Sequence, residues 1–97
     1  MINKKRVAEL LTEIKESWFT QDQKNNFYAK DTSLKELQKF SEDIVKPLMY
    51  AYDEDLLICN IVPHEINDYG NQYIDSLLIN DYEGLTEEGE AFILKYK

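Results

Sequence analysis

The sequence is poor in the residues that carry covalent and metal chemistry. It holds one cysteine, Cys59, and one histidine, His64. A single cysteine forms no internal disulfide and suits a reducing cytosol. One cysteine and one histidine cannot by themselves complete a zinc site. Three glycines and two prolines leave no glycine-rich phosphate loop. No apolar run approaches the roughly 20 residues that span a bilayer, and none follows a charged start as in a signal peptide. With 97 residues, 43% of them hydrophobic, the chain has material for one core without staples. One cytoplasmic domain over residues 1–97 is therefore expected.

Positive charge is missing too, but only from half of the chain. The formal net charge is −8. Residues 1–16 carry +1 and residues 17–46 balance, whereas residues 47–97 set eleven acids against Lys95 and Lys97, for −9. The 48 residues between Lys46 and Lys95 contain neither lysine nor arginine. A surface of one sign repels nucleic acid and anionic lipid and attracts cationic partners, over about 8 Å at physiological salt.

The pattern of apolar residues predicts mostly helices, then a hairpin. Val7, Leu10, Leu11, Ile14 and Trp18 share one helical face, with Asn3 as its cap. Residues 20–26 lack apolar members and read as a loop, and Phe27-Tyr28-Ala29 is either a short strand or an anchor on the core. Ser33 and Glu36 form a capping box ahead of Leu34, Leu37 and Phe40. Ser41, followed by Glu42 and Asp43, reads as the cap of a third helix that turns Ile44, Val45, Leu48, Met49 and Tyr52 inward. Pro47 lies past its first turn and delays or kinks it. Leu56–Val62 reads as a strand stopped by Pro63, residues 67–71 as a turn, and Gln72–Ile79 as the returning strand. Ile-Asn-Asp-Tyr occurs at both 66–69 and 79–82 and reads as repeated turn chemistry. Thr86 caps a last helix, with Ala91, Phe92 and Ile93 available to pack.

Two stretches carry a resemblance. Ser33-Leu34-Lys35-Glu36-Leu37, with Val45, Leu48, Tyr52 and Leu56-Leu57-Ile58, resembles a helix-turn-helix running into the first strand of a wing. Leu85-Thr86-Glu87-Glu88-Gly89-Glu90-Ala91-Phe92-Ile93 resembles the segment after the wing in small bacterial and prophage winged-helix proteins. The resemblance covers about residues 33–93. It implies an α+β winged-helix-like fold, with three helices, a β-hairpin wing and a short C-terminal helix. It also implies duplex DNA binding, with the third helix in the major groove. The exposed residues run against that activity. The recognition positions would be Glu42, Asp43, Lys46, Tyr50 and Asp53. The wing would present His64, Glu65, Asn67, Asp68, Tyr69, Asn71, Gln72 and Asp75. Asn67, Asn71 or Gln72 could read adenine edges, but phosphate contacts, which supply most of the affinity, require lysine or arginine.

Catalysis finds little support. His64 beside Glu65 could form an acid–base pair, yet no nucleophile accompanies it, and a loop histidine is the simpler reading. Cys59 reads as a small buried hydrophobe, in a region too acidic to favour a thiolate. Asp53-Glu54-Asp55 lacks the glycine and distal glutamate of a calcium loop. Neither metal nor cofactor is expected. Tyrosine is plentiful, with seven in all, and Tyr50, Tyr52, Tyr69, Tyr73 and Tyr82 lie in the acidic half. Such residues either pack at core edges or anchor interfaces. The expectation is a non-enzymatic protein that binds the basic surface of a protein partner, or its own copy, through Tyr50, Asp53, Asp55, Glu65, Asp68 and Tyr69. Its size and style fit a regulatory or inhibitory factor of a phage or mobile element. The alternative is a DNA-binding regulator whose phosphate-facing set is Lys4, Lys5, Arg6, Lys35, Lys39 and Lys46.

Overall fold

The computed structural model describes residues 2–17 and 25–97; Trp18 and most of the expected loop lie outside these. The fold is α+β. Helix α1 (Lys4–Ser17) is followed by strand β1 (Asn25–Tyr28) and helix α2 (Leu34–Phe40). A wider π turn (Ser41–Val45) joins α2 to helix α3 (Lys46–Asp53). Strands β2 (Leu57–Asp68) and β3 (Asn71–Leu85) form a long hairpin, and helix α4 (Glu87–Tyr96) closes the chain. The three strands make one antiparallel sheet in the order β1-β3-β2.

Helix α1 follows its apolar spacing. Asn3 Oδ1 accepts the Arg6 N–H at 3.1 Å, and Val7, Leu10, Leu11 and Ile14 are buried against α3, α4 and β3. Each such side chain contributes about 1.5–3 kcal/mol when fully buried. Phe27-Tyr28 resolves as strand, and β1 begins at Asn25, inside the stretch expected to be loop. Phe27 pairs with Leu77 on β3, which pairs in turn with Pro63 on β2. Leu77 and Ile79 are fully buried beneath the helices, while Leu78 and Val62 alternate to the open face, as the two-residue period of a strand requires.

The helical region departs from the expected helix-turn-helix. Ser33 Oγ caps α2 by accepting the Glu36 N–H at 3.4 Å, but Asp31 Oδ1, in place of the Glu36 carboxylate, takes the Ser33 N–H at 2.8 Å. Leu34, expected inside, is exposed. Ser41 caps nothing: its backbone is helical (φ −58°, ψ −47°), and the chain stays helical from Leu34 to Asp53. Pro47 supplies the reason. Without an N–H it cannot address the carbonyl four residues back, and its ring would press on that carbonyl in a tight α-turn. The π turn widens the backbone just ahead of it, a common accommodation, with the Lys46 N–H reaching the Ser41 carbonyl. The Asp43 carbonyl, four residues before Pro47, accepts Arg6 Nε–H at 2.9 Å.

The strands are longer than expected. Pro63 does not stop β2, because β2 is an edge strand, where a missing N–H is tolerated. The turn narrows to Tyr69 (φ 52°) and Gly70 (φ 77°), the pair of positive φ values that a two-residue hairpin uses. The second Ile-Asn-Asp-Tyr makes no turn. It lies within β3, where Asp81 (φ 54°) sits in an irregularity opposite the step from Ile58 to Asn60.

Gly89 marks the tightest approach. A Cβ there would lie 2.0 Å from the Leu56 carbonyl oxygen. Gly89→Ala would improve helix propensity by about 1 kcal/mol, but the clash is with backbone and forces α4 away. We expect a net loss of roughly 3 kcal/mol, read as a lowered urea midpoint; an unchanged midpoint would contradict this packing.

Candidate functional site

The site lies at the corner where α3 ends and α4 begins. Helix α3 terminates with the Leu56 N–H on the Ala51 carbonyl at 2.9 Å and the Asp55 N–H on the Tyr52 carbonyl at 3.2 Å. Asp55 stands in the left-handed region (φ 56°), and Leu56 is buried beyond it. This is a Schellman ending with aspartate where glycine is usual. Thr86 fastens α4 to that ending. Its hydroxyl donates to the Asp55 carbonyl at 2.6 Å and accepts the Gly89 N–H at 3.1 Å. Its own N–H reaches the Leu56 carbonyl at 3.1 Å.

This staple joins two acidic runs from distant parts of the chain. Asp53, Glu54 and Asp55 are exposed on one side of it, and Glu87 and Glu88 on the other. Glu87, Glu88 and Glu90 also occupy the first turn of α4, where a helix N-terminus favours negative charge. Glu90 is tied to Lys15 at 2.7 Å. Beside the acids lies an open groove of about 420 Å³, bordered by Tyr50, Leu56 and Phe92 with Glu54, Glu88 and Lys95. The Tyr50 and Phe92 rings are tilted at 54° with centroids 6.2 Å apart, and Phe92 meets Tyr96 at 4.5 Å. Tyr96 is clasped by Lys4, at 5.2 Å, and Lys95, at 5.3 Å from its ring centroid. The Lys4 hydrogen bond draws its phenol below the ordinary tyrosine range.

The six residues expected to bind a partner therefore divide. Tyr50, Asp53 and Asp55 gather at this corner. Glu65, Asp68 and Tyr69 lie on the far part of the hairpin, with Asp68 about 36 Å of extended strand from Leu57. The hairpin tip leans on the loop before α2, where the Tyr69 hydroxyl donates to the Thr32 carbonyl at 3.1 Å. Tyr69 meets Tyr73 edge-on at 6.5 Å. Phe92, Glu54 and Glu88 did not stand out in the sequence as site residues. Only the closeness of Leu56 and Gly89 shows that they face one groove.

The cations of the DNA-binding alternative also separate: Lys4 lies at the Tyr96 ring of α4, whereas Arg6 meets the Asp43 carbonyl of the π turn. Lys46 is held by Glu42 at 2.5 Å, one turn away. Lys35 and Lys39 are exposed on α2, and Lys39 shares a shallow groove with Arg6, Lys30 and Tyr28, together with Glu36 and Asp43. His64 pairs with Asp75 across the hairpin, not with Glu65: Nδ1 and Oδ1 are 2.6 Å apart. Asp75 is the extra residue of a β3 bulge opposite His64 and Glu65. The Ser76 hydroxyl donates to Asp75 at 3.4 Å, so it is engaged by the carboxylate rather than poised on the imidazole as a nucleophile would be. Among the described residues no cluster of histidine, cysteine and carboxylate side chains could hold a metal, and no helix is long and apolar enough to cross a membrane.

Cys59 is half-buried on β2, and burial pushes its thiol up from 9.0 to about 11. At pH 8 the folded protein should then hold about 100-fold less thiolate than the unfolded chain, and alkylation by iodoacetamide should slow at least that much. Because the folded thiol keeps its proton beyond the pKa of the unfolded one, this group's contribution to stability is intact below pH 9.0 and lost as the pH rises toward about 11. Similar alkylation rates with and without urea would contradict the burial.

The chain matches no protein-family model, no curated protein and no solved structure, so no relative assigns a role to any of these residues.

Proposed function

We propose that the protein is a winged-helix-like, non-enzymatic factor that acts by protein–protein interaction, covering a basic surface of its partner with the acidic corner of α3 and α4. The observation that carries this reading is the Thr86 staple, which sets Asp53, Glu54 and Asp55 beside Glu87 and Glu88 at the edge of an aromatic groove. Like charges held together in the folded state raise the local potential, which speeds encounter with a cationic partner. The long hairpin and closing helix support the winged-helix likeness, as does Gly89 at the close contact after the Leu85-Thr86 turn; the helical run from Leu34 to Asp53, which lacks the expected turn, does not.

Duplex binding is the weaker reading. The exposed recognition positions Glu42, Asp43 and Asp53 are acidic, and Lys46, the one cation among them, is paired with Glu42 at the surface. Arg6, Lys30 and Lys39 around one groove are the feature in its favour, since converging cations are what phosphates require.

One pair of titrations separates the two. By fluorescence anisotropy at low salt, labelled random duplex should show no saturable binding, whereas protamine, an arginine-rich protein, should bind. Asp53→Asn, Glu54→Gln, Glu87→Gln and Glu88→Gln combined should weaken protamine binding by at least about tenfold without unfolding the protein, because all four side chains are exposed. Saturable duplex binding that falls steeply with salt and is lost in Lys39→Glu would transfer the function to the basic groove.

A further inference from the structure

We infer that the groove between α3 and α4 is a docking site for an arginine-bearing peptide segment of a basic partner, the guanidinium lying on Tyr50 and Phe92 and its charge taken by Glu54 and Glu88. This rests on the acidic-corner reading above and names the chemistry that the corner recognises.

Shape and charge both lead there. The groove is an open depression of about 420 Å³, wide enough to receive a side chain laid along it. Its apolar lining is Leu56, which is buried, with Ala91 and the tilted rings of Tyr50 and Phe92, which favours a partner with an apolar component. Its rim carries Glu54 and Glu88, both exposed and neither in an ion pair among the described residues. Asp53 and Asp55 line a separate depression with Tyr52, Cys59 and Thr86. The single cation at the rim, Lys95, is directed to the Tyr96 ring.

An apolar floor under unpaired carboxylates suits a side chain with a long stem and a charged head. Arginine fits better than lysine for two reasons. Its planar guanidinium stacks on aromatic faces, and its fixed fork of donors can serve two carboxylates at once. The acids of the first turn of α4 also stabilise that helix. That role requires only their position near the N-terminus; it does not account for the aromatic floor beside Glu88 or for Glu54 across from it.

The test uses short fluorescent peptides in which leucine alternates with arginine, with lysine or with glutamine, titrated into the full chain at low salt. The arginine peptide should bind about tenfold more tightly than the lysine peptide, and the glutamine peptide should not bind. Amide NMR shifts caused by the arginine peptide should centre on Tyr50, Glu54, Glu88 and Phe92. Glu54→Gln with Glu88→Gln, both exposed, should weaken it at least about tenfold. Phe92→Leu, with folding checked by its melting curve, should abolish the preference for arginine over lysine. Equal binding of the two cationic peptides, with shifts spread over Asp53, Asp55 and Glu87 and no effect of Phe92→Leu, would overturn the groove while leaving the acidic corner standing. Failure of both cationic peptides to bind the folded protein would overturn both.

Discussion

The contact on which this molecule turns is a backbone approach. The Leu56 carbonyl lies so close to Gly89 that no side chain fits between them, and the same carbonyl accepts the Thr86 N–H. Here four elements meet within a few residues: α3 ends, β2 starts, β3 ends and α4 begins. Glycine permits the approach, and threonine uses it, donating to the Asp55 carbonyl with the hydroxyl that caps α4. The acidic corner and its aromatic groove follow from that junction. With α4 displaced, Glu88 would leave Glu54 and Phe92 would leave Tyr50.

A second constraint governs the other side of α3. Pro47 removes a helical hydrogen bond, and the widened turn before it keeps the backbone helical where a break was expected. Arg6 meets the Asp43 carbonyl and so ties α1 to the helical run. That bond uses the Nε–H of the guanidinium. Glu42 engages Lys46. Lys35 and Lys39 stay exposed on α2, and at the α3–α4 corner Glu90 is paired with Lys15 while Glu54 and Glu88 are in no ion pair among the described residues.

The charge distribution gives these local facts a wider meaning. Arg6, Lys30 and Lys39 border one groove together with Glu36 and Asp43, whereas Asp53, Glu54, Asp55, Glu87 and Glu88 stand exposed where α3 ends and α4 begins. Carboxylates held together attract a cationic partner before contact, within about a Debye length of 8 Å. Such steering selects the encounter face; the rings of Tyr50 and Phe92 would then decide which cation remains.

Local chemistry was legible from the sequence alone. The apolar stripe of α1 from Val7 to Ile14 and the caps at Asn3, Ser33 and Thr86 each depend on residues within a few turns of one another, and the fold keeps them. Where long-range context competes, local reading failed. Ser41 looks like a cap but lies within a helix, because Pro47 reshapes the turn ahead of it. Pro63 looks like a stop but lies within a strand, because that strand is at the sheet's edge. Asp81 looks like a turn residue but sits in a strand irregularity, because pairing with β2 holds it there. The His64–Asp75 pair depends on hairpin register and a bulge, and the groove depends on a carbonyl meeting a glycine 33 residues further along the chain. Sequence by itself determined which residues are apolar, acidic or able to cap. Only the tertiary structure decided which of them meet, because hydrogen bonds and close approaches between distant segments are absent until the core has formed.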